Sequence, residues 1–161
     1  MTAPFLIRGD ALPALAPLSE TPDEDDSPAM LWGVDLSACA TRKQAKAAWH
    51  HALAALKSQL DEAPRVRRVC IACLRPSGFA RQAPIRVPER IATQLHNDLE
   101  RDRARYVSTL VVDVTECDDP ALLRTRLGAA LTESTRWGDL TLEWQDIADC
   151  TVHEAWAREA L

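Results

Sequence analysis

Glycine is scarce in this chain, with five in 161 residues. Neither Gly-x-Gly-x-x-Gly nor a Walker-type loop can be assembled from them, which excludes enzymes that cradle phosphates on a glycine-rich turn. No apolar run approaches the ~18 residues that cross a bilayer, so no transmembrane span is expected. The first residues lack a basic stretch followed by an apolar one, and the expectation is a cytoplasmic protein without a secretory signal. Gly-x-Ser-x-Gly is missing. The four histidines never fall at His-x-x-x-His spacing, and the adjacent His50 and His51 point about 100° apart on a helix. No cofactor is implied.

An odd count of five cysteines fits reduced thiols. Cys70 and Cys73 form a lone Cys-x-x-Cys within Val69-Cys70-Ile71-Ala72-Cys73-Leu74, which reads as a buried strand. Residues three apart on a strand face opposite ways. A zinc site also needs a second ligand pair, which the sequence lacks. Two buried structural thiols are expected.

What the chain does have is block-patterned charge beneath a net −5. Residues 1–38 carry one arginine against seven acids, and residues 39–64 carry four bases against two acids. Residues 65–105 hold ten arginines against four acids; residues 106–161 hold four bases against eleven. An acidic frame around a basic middle is able to steer a charged partner, unless the blocks pair with each other in the fold.

Residues 1–28 contain five prolines and the acidic run Glu20 to Asp26, and read as an extended or disordered arm. Phe5, Leu6 and Ile7 are the exception, able to dock as a strand on this molecule or on a partner. A single α/β domain is expected over 29–161. Met30 to Leu36 fits a buried strand. Thr41 opens a helix with an apolar stripe of Ala45, Ala48, Trp49, Ala52, Leu53, Leu56 and Leu60, closed by Pro64. Lys43, Lys46, His50 and Lys57 share another face. Val66 to Leu74 is apolar without alternation from Val69, as in a sheet covered on both faces. An arginine-studded loop follows, then a helix from Pro88 to about Ala104. Tyr106 to Thr115 is a third strand. Asp119 and Pro120 start another helix as N-cap and first-turn proline. Leu140, Leu142 and Trp144 alternate with polar residues, as on an edge strand, and a last helix covers Val152 to Leu161. Trp137 is expected at the surface. The order β-α-β-α-β-α-β-α predicts layered βαβ units.

A weak internal repeat sharpens this. Val34-Asp35-Leu36-Ser37-Ala38-Cys39 resembles Val112-Asp113-Val114-Thr115-Glu116-Cys117, each ending a strand before a helix. Two such units build either a ferredoxin-like duplication or a small open, mostly parallel sheet. Asp35 and Asp113 then sit at strand carboxyl ends, where α/β sheets hold ligands. With Glu116, Asp118 or Asp119 they would suit Mg²⁺ or Mn²⁺, as in a nuclease or phosphohydrolase. The competing role is plain: an aspartate two residues before serine or threonine turns the chain.

Three readings follow. The first is a small interaction protein, whether adaptor, inhibitor or immunity protein, or subunit of an assembly, with a protein partner. The second is a nucleic-acid-binding subunit using the 65–105 arginines, with Arg75, Arg81, Arg86, Lys43 and Lys46 as binding candidates. The third is the metal-dependent hydrolase using Asp35, Asp113 and Glu116.

Overall fold

The computed structural model describes residues 2–20, 27–76, 87–133 and 136–161. Five strands form one sheet: β2 (Leu6–Gly9), β4 (Ala29–Asp35), β5 (Arg68–Leu74), β6 (Ser108–Asp113) and β7 (Asp139–Glu143). Every neighbouring pair is parallel, and the strands lie side by side in chain order. Of the two architectures expected, the open parallel sheet is the one realised. A two-residue pair, β1 (Thr2–Ala3) with β3 (Ser19–Glu20), lies apart from it. Among the described residues no helix is long and apolar enough to cross a membrane.

The register explains the continuous apolar runs. Leu31, Cys70, Leu110 and Leu140 line up across the sheet on one face; Trp32, Ile71 and Val111 do so on the other. Both faces are covered. Helices α1 (Arg42–Glu62) and α2 (Arg90–Arg103) bury Trp49, Leu56, Leu60, Leu95 and Leu99 against the second face. Helix α3 (Pro120–Thr132) packs Leu123, Leu127 and Leu131 against the first, joined by the short α4 (Trp144–Ala148) and by α5 (Val152–Glu159).

 The last helix runs from Val152 to Glu159, closed at its start by the reciprocal Thr151 and Glu154 capping bonds. Cys70 and Cys73 belong to opposite faces, and burial pushes both thiols well above their ordinary range.

In a parallel sheet whose spatial order follows the chain, the face a connection crosses sets its hand. Helices α1 and α2 cross on one face and α3 crosses on the other. The β6–α3–β7 unit therefore has the opposite hand to the two units before it, although parallel crossovers overwhelmingly share one hand.

Local signals place the helix starts where the sequence predicts them. Thr41 Oγ1 accepts from the Gln44 N–H at 3.1 Å, and Asp119 Oδ1 accepts from the Leu122 N–H at 3.0 Å. Of the two places expected for Phe5, Leu6 and Ile7, the strand docks on this molecule: Leu6–Gly9 pairs with β4 and Phe5 and Leu6 are buried, while Leu12 and Leu15 pack beneath it around a 3₁₀ turn at Pro13–Leu15. The acidic residues 21–26 of that arm lie outside the described residues. Two other expectations change. Trp137 is buried rather than at the surface, in the same cluster as Leu131 and Leu140. The alternating strand stops at Glu143, where reciprocal bonds between Glu143 and Asp146 start α4 and make Trp144 its first residue.

Candidate functional site

Adjacent strands whose outgoing connections leave over opposite faces open a crevice at their carboxyl ends. The helix that follows β5, α2, packs on one face and the helix that follows β6, α3, on the other. At the carboxyl ends of β5, β6 and β7 a cleft of about 180 Å³ is lined, among the described residues, by Arg75, Asp113, Glu116, Glu143, Trp144 and Gln145. Asp113, at the end of β6, is buried. Its Oδ2 takes a very short hydrogen bond from Arg75 Nε. Its Oδ1 accepts from the Thr115 N–H at 3.0 Å and from Thr115 Oγ1 at 2.6 Å. Thr115 Oγ1 in turn accepts from the Arg75 N–H at 2.8 Å. These bonds tie the ends of β5 and β6 together.

Asp35 ends β4 one strand further over. Its register partner is Leu74, whereas Asp113 pairs with Cys73, so β5 stands between the two aspartates. Two strand spacings put their backbones about 10 Å apart. Asp35 is exposed; its Oδ1 accepts from the Ser37 N–H at 2.9 Å, and its own N–H donates to Asp10 Oδ2 at 2.8 Å. Among the described residues, no three of His, Cys, Asp and Glu gather where one metal ion could be held. Glu116 lines the cleft with Asp113. Asp118 instead accepts from Trp144 Nε1 at 2.9 Å, and Asp119 caps α3.

The two turns of the repeat are hydrogen-bonded alike. Each aspartate accepts from the N–H two residues on, and Cys39 and Cys117 each donate to the carbonyl three residues back, at 2.9 and 3.2 Å. The likeness stops there, because the helices that follow pack on opposite faces.

The arginine block disperses. Arg101 is held by Asp98 and Asp102, and Arg103 grips Asp61 with two bonds of 2.6 and 2.9 Å. Asp61 is thereby held below its ordinary carboxylate range. Arg81 and Arg86 lie outside the described residues. Lys43 and Lys46 are exposed on α1, and Lys57 on the same helix pairs with Asp98 at 2.8 Å.

A second pocket, of about 370 Å³, lies at the opposite, amino edge of the sheet. Among the described residues its lining is Pro28, Arg67, Arg68, Ala104, Arg105, Tyr106, Ser108 and Arg136, with no carboxylate. Three of its arginines are anchored on main-chain carbonyls. Arg67 Nη1 donates to Pro64 O at 2.7 Å, and Arg68 Nη1 donates to Leu131 O at 2.8 Å. Arg105 donates to the carbonyls of Leu60, Ala63 and Val66, closing the open end of α1. Its Nε is buried with no partner. Arg136 lies over the Tyr106 ring, 5.4 Å from its centroid, and the far edge of Tyr106 meets His96 in a T-shaped contact at 5.0 Å. Tyr106 and Arg136 fall outside the 65–105 block, and nothing in their spacing links them to it. The pairing of Thr109 with Asp139 brings them together.

The fold and these two pockets define the class: an α/β protein with an open, all-parallel five-stranded sheet and a polar cleft at the carboxyl ends of its strands. Beyond that class the comparisons add nothing, since no protein-family model matches the chain and neither curated proteins nor solved structures give a match.

Proposed function

We propose that this protein works by binding another protein, as an adaptor, inhibitor or subunit of a larger assembly, rather than by turning over a substrate. The observation that carries this reading is the state of Asp113. It occupies the strand-end position where a metal-dependent nuclease or phosphohydrolase would present a metal ligand, yet its oxygens are taken by Arg75 and Thr115. A carboxylate so engaged serves to join two strand ends. Asp35 likewise closes a turn, and β5 separates the pair.

Nucleic acid is the second reading, and the use of the arginines bears on it. A polymer backbone needs several cations along a track, whereas Arg101 and Arg103 are paired with carboxylates. The test is affinity capture of the tagged protein from its native lysate, with and without nuclease. A protein recovered in fixed stoichiometry after nuclease treatment is the expected result. Recovery that vanishes with nuclease would overturn it, as would magnesium-dependent phosphodiesterase activity that is lost in a folded Asp113→Asn variant.

A further inference from the structure

We propose that the arginine pocket at the amino edge of the sheet is a binding site for a phosphate monoester, with Arg67, Arg68, Arg105 and Arg136 facing the phosphoryl group and Tyr106 forming a wall for the group it is esterified to. The first ground is charge. Four guanidinium groups from three separate stretches of chain line one pocket, and among the described residues no carboxylate lines it with them. Asp61, whose charge reaches Arg105, is itself gripped by Arg103. Like charges gathered this way repel, and a dianion relieves that repulsion.

The second ground is preorganisation. Arg67, Arg68 and Arg105 are fixed by bonds to neutral carbonyls, which hold the side chains in place without cancelling their charge. Arg105 spends both Nη groups on carbonyls and contributes its charge. The carbonyl bonds of Arg67 and Arg68 run through Nη1, and their guanidinium planes match the oxygens of a phosphoryl group. Burial, and then the charge of Arg67, lowers the proton affinity of Arg105, as expected of a cation waiting for a counter-charge. The third ground is Tyr106, a large apolar side chain that stays 37% exposed beside these cations. A ring against which a planar group stacks is worth about 1–3 kcal/mol per base in single-strand recognition.

A compact ligand fits better than a polymer. Arg101 and Arg103, the next cations along the chain from Arg105, are paired with carboxylates, so they do not extend the pocket into a track of open cations. The inference is independent of the protein-binding reading: it concerns the other edge of the sheet, and capture of a protein neither supports nor weakens it.

The experiment is titration calorimetry on the full chain at low salt with three probes: inorganic phosphate, adenosine monophosphate and adenosine. Phosphate and the nucleotide are expected to bind and adenosine is not, with the nucleotide at least fivefold tighter than phosphate. Arg136→Gln is the first variant, because Arg136 is exposed and anchors no carbonyl among the described residues, so the fold does not rest on it. It should weaken both phosphate and nucleotide about tenfold. Tyr106→Ala should bring the nucleotide down to the affinity of phosphate while leaving phosphate binding in place. Absence of phosphate and nucleotide binding at millimolar concentration would overturn the proposal. So would binding unchanged by Arg136→Gln, or tight salt-sensitive binding of a single-stranded oligonucleotide without any response to the small probes.

Discussion

At the carboxyl edge of the sheet, Arg75 meets Asp113 in a largely buried pair, and the charges cancel. At the amino edge, the hydrogen bonds of Arg67, Arg68 and Arg105 among the described residues go to carbonyls, and the charges remain. The same residue type closes one pocket and leaves the other electropositive. The difference teaches that a count of arginines along a chain says little about a surface until each guanidinium's partner is known.

The sharpest way to break the carboxyl edge is Gly33→Ala. An added Cβ would sit 2.0 Å from the Asp10 carbonyl oxygen, and that backbone carries the turn linking β2 to β4. A loss of about 3 kcal/mol or more is expected, read from urea denaturation. Next comes Asp113→Asn, which leaves Arg75 without its charge partner in a largely buried site. It should cost about 3 kcal/mol, whereas Asp35→Asn in the matching exposed turn should stay within about 0.5 kcal/mol. Equal losses in the two turns would show that Asp113 is no more than a cap.

At the amino edge, Arg105→Ala removes the donors to three carbonyls at the end of α1. The expected loss is about 2 kcal/mol, at the lower end for bonds to a charged group because the side chain is only half-buried. An unchanged midpoint would mean that water replaces those bonds and that the pocket is not held in place by them. A control of opposite sign lies away from both edges. Gly128 sits inside α3 with nothing within 4 Å of an added Cβ, so Gly128→Ala should stabilise by about 0.5–1 kcal/mol. The smallest effect is on acid stability. Arg103 lowers the folded-state pKa of Asp61, so their contribution is complete above the ordinary carboxylate value and is lost as pH falls through the lowered one. Arg103→Gln should flatten that acid limb in a pH series of melting temperatures.

The elements themselves were legible. Val69 to Leu74 reads as a doubly covered strand because every side chain in it is apolar, and Thr41 and Asp119 announce helices through side chains that can accept a first-turn N–H. Trp137 was not legible: beside a glycine it looks like a loop residue, and only the first-face core it shares with Leu131 and Leu140 buries it. The carboxyl-edge site was half legible. Asp113 and Glu116 lie four residues or fewer apart and Arg75 stands at the end of a recognisable strand, but that Arg75 bonds Asp113 depends on β5 and β6 being neighbours.

What the sequence determined by itself is local: strand and helix identity, caps, the opposed faces of Cys70 and Cys73, and the pair of aspartate turns. These follow from hydrogen bonds and side-chain periodicities spanning a few residues. Strand order, the face on which α3 packs and the meeting of Tyr106, Arg136 and the earlier arginines were decided only by tertiary structure. Each depends on contacts between residues tens of positions apart, and the choice among such contacts is made by how well both faces of the sheet are buried at once.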